Sequence, residues 1–250
     1  MHRFFLALCC CGVTALSCAG ENRIPHYIVG VENTRYSPQY DHDGDQFLGY
    51  AREFLDEFAR QHGIEFEYRV LPINRLYHVF LVEQTVDFKY PDSPVWRPEL
   101  RQAKSVFYSD ACAEFTDGVM VLPQNKGAGL AQLKTLGIVR GFTAKGYEMP
   151  IAQGHVKLDE NGNTSGLLQK TLRHRIDGAH INVDVARFHL RQVLRQPYAL
   201  VFDKELPFHH GAYVLASLKY PQRITEMNEF IAQNREWIAE LKKRYRIGME

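Results

Sequence analysis

The first third of the chain alternates between strand-like and helix-like segments, and this alternation most constrains the fold. Residues 27–31 form an apolar run typical of a buried strand. Residues 47–62 place apolar side chains at helical spacing, and Gly63 follows where a helix end favours glycine. A strand, a helix and a strand are then predicted at residues 64–70, 72–82 and 86–88. The order β-α-β-α-β predicts a parallel α/β sheet.

A second set of strands and helices begins near residue 118 and returns to a strand near residue 213. Two helices are predicted after that return, at residues 221–232 and 236–245. The second group of strands and helices thus begins and ends within the first group, which indicates that one lobe is inserted within the other. We therefore expect a discontinuous lobe 1, made of residues 22–117 and 208–250, and a lobe 2 made of residues 118–207.

A proline-rich segment at residues 89–98 separates the two sets. Pro91, Pro94 and Pro98 lack a backbone donor and bias the preceding residues away from helix, which predicts an ordered but irregular loop. An arginine near Trp96 on such a loop would suit a small anion, with fixed donors beside a flat apolar wall. The alternative is a surface loop in which Trp96 fills a core and the arginines are solvated.

A second candidate turn is formed by Gly141, Phe142 and Thr143, between a predicted strand and an expected helix. Free N–H groups at a helix N-terminus, with a hydroxyl beside them, can hold a carboxylate. An ordinary helix cap is the alternative interpretation.

Charge and composition exclude some classes of function. The 250-residue chain has a formal net charge of +1 and no long basic or acidic run, which argues against nucleic-acid and membrane-surface binding. At 45% hydrophobic residues it can bury a sizeable core in one large or two medium domains.

The N-terminus predicts export. Residues 1–3 are a short positive lead, residues 4–16 are apolar, and Ser17 and Ala19 are the small residues that cleavage requires. We expect a signal peptide over residues 1–19. A lipoprotein cut before Cys18 is the less favoured alternative, because Leu16 fits the lipoprotein motif poorly. No later stretch reaches the roughly 18 apolar residues that a membrane helix needs.

No cofactor or metal is predicted. Four of the five cysteines lie in the signal region, so Cys112 remains without a disulfide partner or a second thiolate ligand. Residues 41–45 resemble part of a calcium loop, but glycine stands at the fourth place and Arg52 replaces the bidentate glutamate, so a solvated turn is favoured. The adjacent His209 and His210 lack the spacing of a helical metal site.

Several short motifs carry a family resemblance by their order and spacing rather than by any one of them. They are Gly30-x-Glu32 with Tyr36-Ser37-Pro38, Arg101-x-x-Lys104-x-Val106-x-Tyr108-Ser109, Gly141-Phe142-Thr143, Leu172-x-x-Arg175-Ile176-Asp177-Gly178-Ala179, and Tyr213-Val214-Leu215 with Lys219-x-Pro221. With them the chain resembles the type II periplasmic solute-binding proteins of the polar amino-acid-binding family, bacterial extracellular solute-binding proteins of family 3.

The resemblance implies the type II periplasmic-binding-protein fold, an α/β fold of two lobes with lobe 2 inserted in lobe 1. Two hinge strands are expected near residues 116–120 and 205–211. It also implies a monomeric periplasmic protein that clamps a small carboxylate-bearing ligand, an amino acid or a derivative, for an ABC importer or a sensor. The alternative is a periplasmic enzyme similar to cyclohexadienyl dehydratases, with Glu32 as the acid/base group; otherwise no catalytic residue is expected.

Site residues follow from the same resemblance. Arg101 corresponds to the arginine that grips the ligand carboxylate, and Thr143 to the lobe 2 hydroxyl beside it. The aspartate that pairs with the ligand ammonium falls at Asn182, five residues after Asp177. An amide carries no charge to offset a buried ammonium, so the ligand need not be a free α-amino acid.

Four further residues are candidate neighbours of the ligand from the sequence pattern. They are Trp96, Tyr36, Glu32 and Arg75. For each of them a surface salt bridge or core packing is the alternative.

Overall fold

A computed structural model describes residues 23–248 of the chain. The predicted signal peptide at residues 1–19 and the alternative lipid site at Cys18 lie outside the described residues. None of the helices in the described range is long and apolar enough to cross a membrane.

The described chain contains a large mixed sheet, a small hairpin and helices on the faces of the sheet. The strands are β1 His26–Glu32, β2 Asp41–Asp43, β3 Gln46–Leu48, β4 Glu65–Leu71, β5 Phe88–Asp92, β6 Phe107–Tyr108, β7 Ala113–Val121, β8 Thr135–Val139, β9 Lys157–Asn161, β10 Gly178–Asn182, β11 Val201–Phe202 and β12 His209–Ser217. The α-helices are α1 Tyr50–Gln61, α2 Ile73–His78, α3 Glu148–Ala152, α4 Thr164–Leu172, α5 Val183–Phe188, α6 Pro221–Gln233 and α7 Arg235–Tyr245. Turns of π-helix at Val79–Glu83 and His189–Val193 extend α2 and α5.

The large sheet has the strand order β4-β1-β5-β12-β7-β10-β8-β9. At one end β1 is parallel to β4 and to β5, and at the other end β8 is parallel to β9 and to β10. The sequence prediction of two α/β sets is therefore confirmed. Each parallel set is the sheet of one lobe.

Two long strands connect the lobes. Residues 113–117 of β7 pair antiparallel with residues 209–213 of β12. Beyond this segment β12 pairs with β5 in lobe 1, and β7 pairs with β10 in lobe 2. The two-lobed fold with hinge strands, expected from the resemblance, is thus present. We propose lobe limits at 117/118 and 207/208, next to the shared segment.

Helix α1 forms because its apolar side chains lie on one stripe. Tyr50, Phe54 and Phe58 repeat every four residues and are fully buried. The predicted start at residue 47 is wrong, since Phe47 belongs to β3 and the helix begins after Gly49, whose φ is +94°. The solvated turn predicted at residues 41–45 corresponds to the β2–β3 hairpin, whose turn at Gly44 and Asp45 is exposed.

Strand β5 occupies the first half of the predicted proline loop. Its five residues are all buried, between β1 on one side and β12 on the other. Lys89 is opposite Ala216 and Asp92 is opposite Val214, so β5 carries one extra residue in the Tyr90-Pro91 segment between them. A bulge tolerates proline because the ladder hydrogen bond is interrupted there.

Three predictions for lobe 2 are wrong at the level of single elements. The helix predicted at residues 130–136 is a short 3₁₀ turn at Leu130–Gln132, and β8 begins at Thr135. The turn at residues 141–143 does not begin a helix, because α3 starts only at Glu148. Strand β9 was not predicted, since its sequence Lys157–Asn161 is mostly polar.

Candidate ligand-binding site

A small cavity lies where the two lobes face each other. Its volume is about 30 Å³, and its walls come from lobe 1, the hinge strands and lobe 2. They consist of Glu32, Tyr36, Tyr40, Ile73, Tyr77 and Trp96, then Asp117 and Tyr213, then Gly141, Phe142, Thr143, His180 and Ile181. A water molecule needs about 10–15 Å³ on this measure, so the closed cleft has room for about two. A larger ligand must part the lobes to enter.

Aromatic rings make up nearly half of the cavity-lining residues. Tyr36 stacks on Tyr40 with ring centroids 5.2 Å apart, and the edge of Phe142 from lobe 2 approaches Tyr36 at the same centroid distance. On the hinge side the Trp96 and Tyr213 rings meet at 5.9 Å. Ring contacts of this kind are worth about 0.5–1.5 kcal/mol each beyond the area buried.

Glu32 closes one side of the cavity at the end of β1. The residue is only 3% exposed, and its Oε2 accepts a hydrogen bond of 2.6 Å from the Tyr40 hydroxyl. Burial raises the pKa of the Glu32 carboxyl, and the nearby Lys89 ammonium opposes that rise.

Asp117 lies on the hinge strand β7 and faces the same cavity. Its Oδ1 is buried and has no hydrogen-bond partner. Burial raises the pKa of the Asp117 carboxyl to about 7. In the sheet it lies opposite Asn182 of β10 and opposite His209 of β12.

His180, on β10, has a second buried polar atom of the cavity without a partner. Its side chain is 3% exposed, and its Nε2 makes no hydrogen bond. Burial lowers the pKa of the imidazole to about 4, so His180 is neutral at pH 7.

Four of the seven predicted site residues line this cavity: Glu32, Tyr36, Trp96 and Thr143. Tyr36 and Trp96 contribute rings to its wall. Thr143 does so from a loop, without the helix N-terminus that was expected behind it.

The predicted carboxylate anchor, Arg101, is not among the cavity-lining residues. Its Nη2 donates to Asp92 Oδ1 at 2.5 Å, its Nη1 to the Tyr108 hydroxyl at 2.9 Å and its Nε to the Trp96 carbonyl at 2.9 Å. Lys89 donates to the same Asp92 oxygen at 3.2 Å. Arg101 and Lys89 are thus held behind Trp96 by one buried carboxylate.

Asn182 shapes the site without lining the cavity. Its Oδ1 accepts hydrogen bonds from the backbone N–H groups of Asp184 and Val185, which caps α5. Its backbone N–H donates to the Tyr36 hydroxyl at 3.2 Å, and its Nδ2 donates to the Tyr213 hydroxyl at 3.1 Å. Asn182 therefore positions two rings of the cavity wall.

Arg75 does not line the cavity and takes part in a surface ion pair. Its guanidinium donates to both carboxylate oxygens of Glu83, at 2.7 and 3.1 Å. Its side chain is 52% exposed. The surface salt bridge considered as the alternative is what the structure contains.

Sequence reasoning missed seven residues of the cavity wall outside the 141–143 turn: Tyr40, Ile73, Tyr77, Asp117, His180, Ile181 and Tyr213. One signal was available for Asp117, which is the acidic residue of the expected hinge segment at residues 116–120. The local sequence around the tyrosines and His180 predicts only that they are core residues.

Polar contacts between the lobes surround the cavity. Arg97 Nη2 donates to the Gly141 carbonyl oxygen at 2.9 Å, and Thr164 Oγ1 donates to the Arg35 carbonyl oxygen at 3.3 Å. In the described residues no group of three or more His, Cys, Asp and Glu side chains is placed to hold a metal ion. Burial raises the pKa of the Cys112 thiol to about 12, which leaves it unreactive.

Solved structures with the same fold are amino-acid-binding and sensor proteins. An ancestral amino-acid-binding protein, a precursor of cyclohexadienyl dehydratase, has a TM-score of 0.67 at 17% identity and covers 88% of this chain and 95% of its own. The substrate-binding protein of an amino-acid ABC transporter has a TM-score of 0.68 at 18% identity, covering 88% and 98%. A histidine kinase sensor domain similar to periplasmic binding proteins has a TM-score of 0.72 at 16% identity, covering 89% and 96%.

At these identities the likeness shows a shared fold. It confirms the resemblance to type II solute-binding proteins at that level. No protein-family profile matches the sequence. No curated protein sequence matches it either.

Proposed function

We propose that this protein is an exported solute-binding protein that closes its two lobes on a small ligand of the amino-acid class, an amino acid or a derivative. The observation that carries the proposal is the cavity itself, which neither lobe forms alone and which contains buried polar atoms without partners. Unsatisfied buried polar groups cost free energy, and a ligand that pairs with them recovers it.

The hinge and the lobe contacts support reversible closure. Two paired strands connect the lobes, so a small backbone rotation in residues 113–117 and 209–213 would open the cleft. Hydrogen bonds such as Arg97 to Gly141 and Thr164 to Arg35 cross the cleft and would exchange with water on opening. Such contacts contribute about 1 kcal/mol each, which allows a ligand to decide the equilibrium.

Binding without turnover is favoured over catalysis. A dehydratase-like enzyme on this fold would need an acid/base carboxylate next to a carboxylate anchor. Glu32 faces the cavity, but the guanidinium of Arg101 is held by Asp92, Tyr108 and Trp96. The name of one structural neighbour, a precursor of cyclohexadienyl dehydratase, makes this enzyme the alternative to test.

A periplasmic location and a membrane partner complete the proposal. The signal peptide expected at residues 1–19 would export the protein. The names of two structural neighbours, a subunit of an amino-acid ABC transporter and a kinase sensor domain, point to an importer or a sensor as the partner. We propose a monomer that presents its closed form to that partner.

A thermal-shift screen of residues 20–250 tests the proposal, with small-angle scattering as a second readout. The panel contains amino acids, their amine and keto-acid derivatives, and prephenate and arogenate. A ligand at about one hundred times its dissociation constant stabilises the native state by about 2.7 kcal/mol, which is a shift of several degrees. Binding that compacts the protein without product formation supports the proposal. Turnover of prephenate or arogenate would replace it with the enzyme.

A further inference from the structure

The charge-bearing groups of the cavity wall at neutral pH are all acidic. Among the thirteen described residues that line it, two are carboxylates, six are Tyr, Trp or Phe, and none is lysine or arginine. His180 adds no positive charge at neutral pH, since burial keeps its imidazole neutral. A carboxylate entering this cavity would meet Glu32 and Asp117 without a facing cation.

Three cations in contact with residues of the cavity wall are already engaged. Lys89 is fully buried and donates to the Pro91 carbonyl oxygen at 2.6 Å and to Asp92. Arg101 donates to Asp92 as well, and Arg97 donates to the Gly141 carbonyl oxygen. Lys89 lies 4.6 Å from the centroid of the Tyr77 ring and 5.8 Å from that of Trp96, so two aromatic side chains lie beside its ammonium.

Asp117 supplies the charge that is absent at position 182. The two residues are directly opposite in the pairing of β7 and β10. Side chains at such positions lie on the same face, about 5 Å apart at Cβ. The side-chain amide of Asn182 is hydrogen-bonded to the first turn of α5 and to the Tyr213 hydroxyl. Asp117 Oδ1, in contrast, is buried without a hydrogen-bond partner. A donor brought by a ligand would satisfy it.

Besides the carboxylate of Asp117, the aromatic rings of the cavity wall can also bind a cation. The faces of Trp and Tyr attract ammonium groups, by about 2 kcal/mol or more when water is excluded. Tyr36, Tyr40, Trp96 and Tyr213 surround the cavity at centroid separations of 5.2–6.5 Å. A cage of aromatic rings beside a carboxylate is the arrangement by which proteins recognise amines and quaternary ammonium groups.

We infer that the group this cleft recognises is a small organic ammonium, enclosed by the aromatic rings and paired with the carboxylate of Asp117. The ligand class is a small amine or quaternary ammonium compound, including amino-acid derivatives that have lost the carboxylate. The inference rests on the proposed solute-binding function and names the ligand chemistry of that same site.

Proton release should accompany binding. The charged and titratable groups that share the cavity with Asp117 or pair with its strand are Glu32 on β1, His180 on β10, His209 and Tyr213 on β12, and Tyr36 from the loop after β1. Burial lowers the pKa of His209, so both histidines are neutral at pH 7 and leave Asp117 without a counter-ion. A bound ammonium favours the ionised carboxylate, so affinity for the amine rises with pH up to about 7.

Matched ligands separate charge from shape in the experiment. Leucine, 3-methylbutylamine and 4-methylpentanoate share one side chain and differ in the charged groups. Choline and its uncharged isostere 3,3-dimethylbutanol differ in the cation alone. We expect 3-methylbutylamine and choline to stabilise the protein against thermal unfolding. 3,3-Dimethylbutanol should bind at least tenfold more weakly than choline, and 4-methylpentanoate should not bind.

Two variants locate the counter-charge. Asp117→Asn keeps the shape and should lower affinity for the amine about tenfold or more, and it should flatten the pH dependence between pH 5 and pH 8. Asp43→Asn, in the exposed hairpin turn, is the control and should leave affinity unchanged. The melting temperature of ligand-free Asp117→Asn is measured above pH 7. If it equals or exceeds that of the parent, misfolding is excluded as the cause of lost affinity.

The outcomes distinguish this inference from the proposed function. If 4-methylpentanoate binds and compacts the protein while the amines do not, the ammonium inference is wrong and the solute-binding function stands. If Asp117→Asn binds amines as the parent does, the assignment of Asp117 is wrong. If no ligand of any charge stabilises or compacts the protein, both proposals are wrong.

Discussion

Arg97 Nη2 donates a hydrogen bond of 2.9 Å to the carbonyl oxygen of Gly141, across the cleft from lobe 1 to lobe 2. The guanidinium also lies 5.3 Å from the centroid of the Tyr77 ring, which belongs to the cavity wall. Both backbones have a positive φ, +45° at Arg97 and +89° at Gly141. The bond exists only when the lobes are together, so it stabilises the closed form specifically.

Removing this contact should weaken binding more than folding. In Arg97→Ala we expect affinity for any cleft ligand to fall about threefold to tenfold, because a hydrogen bond from a charged donor contributes about 1.5 kcal/mol or less when partly exposed. Calorimetric titration measures the affinity. Arg60→Ala, which removes an exposed pair with Glu57, is the matched control. Equal small effects of both changes would show that the contact across the cleft does not stabilise closure.

Gly141→Ala should oppose closure by a steric route. A Cβ at this residue would lie 3.2 Å from Cβ and Cγ2 of Ile73 in the other lobe. Gly154→Ala is the control, since its φ of +72° imposes similar backbone strain but no atom lies within 4 Å of the new Cβ. Both variants should lose about 1 kcal/mol of stability. Weaker ligand binding and a larger radius of gyration are expected only for Gly141→Ala, measured by titration and small-angle scattering.

Arg101→Ala should destabilise the fold. The change leaves the buried Asp92 with Lys89 alone, and removing one partner of a buried ion pair costs about 3 kcal/mol or more. Arg75→Ala, at an exposed pair, should cost about 0–1 kcal/mol. Urea unfolding at neutral pH compares them. If Arg101→Ala is as stable as the parent but no longer binds ligand, Arg101 is the ligand anchor predicted from sequence.

The stability of the ligand-free protein should depend on pH through Asp117. Its folded pKa of about 7 exceeds the usual aspartate value of 3.8, so between these values the native state holds a proton that the unfolded state releases. The contribution of this group therefore falls as pH rises, by about 1.4 kcal/mol per unit at most. The free energy of unfolding of Asp117→Asn, relative to that of the parent, should therefore increase from pH 4 to pH 7. A constant difference between the two proteins over that range would contradict the burial of a protonated carboxyl.

His180 should act in the opposite direction over nearly the same range. Its folded pKa is about 4 against 6.5, so the unfolded state binds more protons between these values and stability falls as pH falls. His180→Gln removes this dependence while keeping a polar side chain. Relative to the parent, the variant should gain stability from pH 6.5 down to pH 4 in urea unfolding. A parallel pH profile for both proteins would show that His180 is not buried in its neutral form.

Local patterns predicted much of the lobe architecture. The apolar stripe of α1 and the apolar run of β1 are properties of neighbouring residues, and both elements were predicted within a few residues. The hinge segments were placed within a few residues of the paired part of β7 and β12 by the family resemblance. Glu32, Tyr36 and Trp96 were named as candidates from the sequence pattern and Thr143 from the family resemblance, and all four line the cavity.

The tertiary structure alone decided which charges reach the cavity. Arg101 and Arg75 have the same side chain, but the bulge of β5 presents Asp92 to Arg101, while Glu83 pairs with Arg75 at the surface. Asp117 and Asn182 lie opposite each other only through the register of β7 and β10. Sequence periodicity predicts which face of a helix or strand a residue occupies, because that face is set by the local backbone geometry. Electrostatic partners and burial depend on strand pairing between distant segments, and these determine what the cleft can bind.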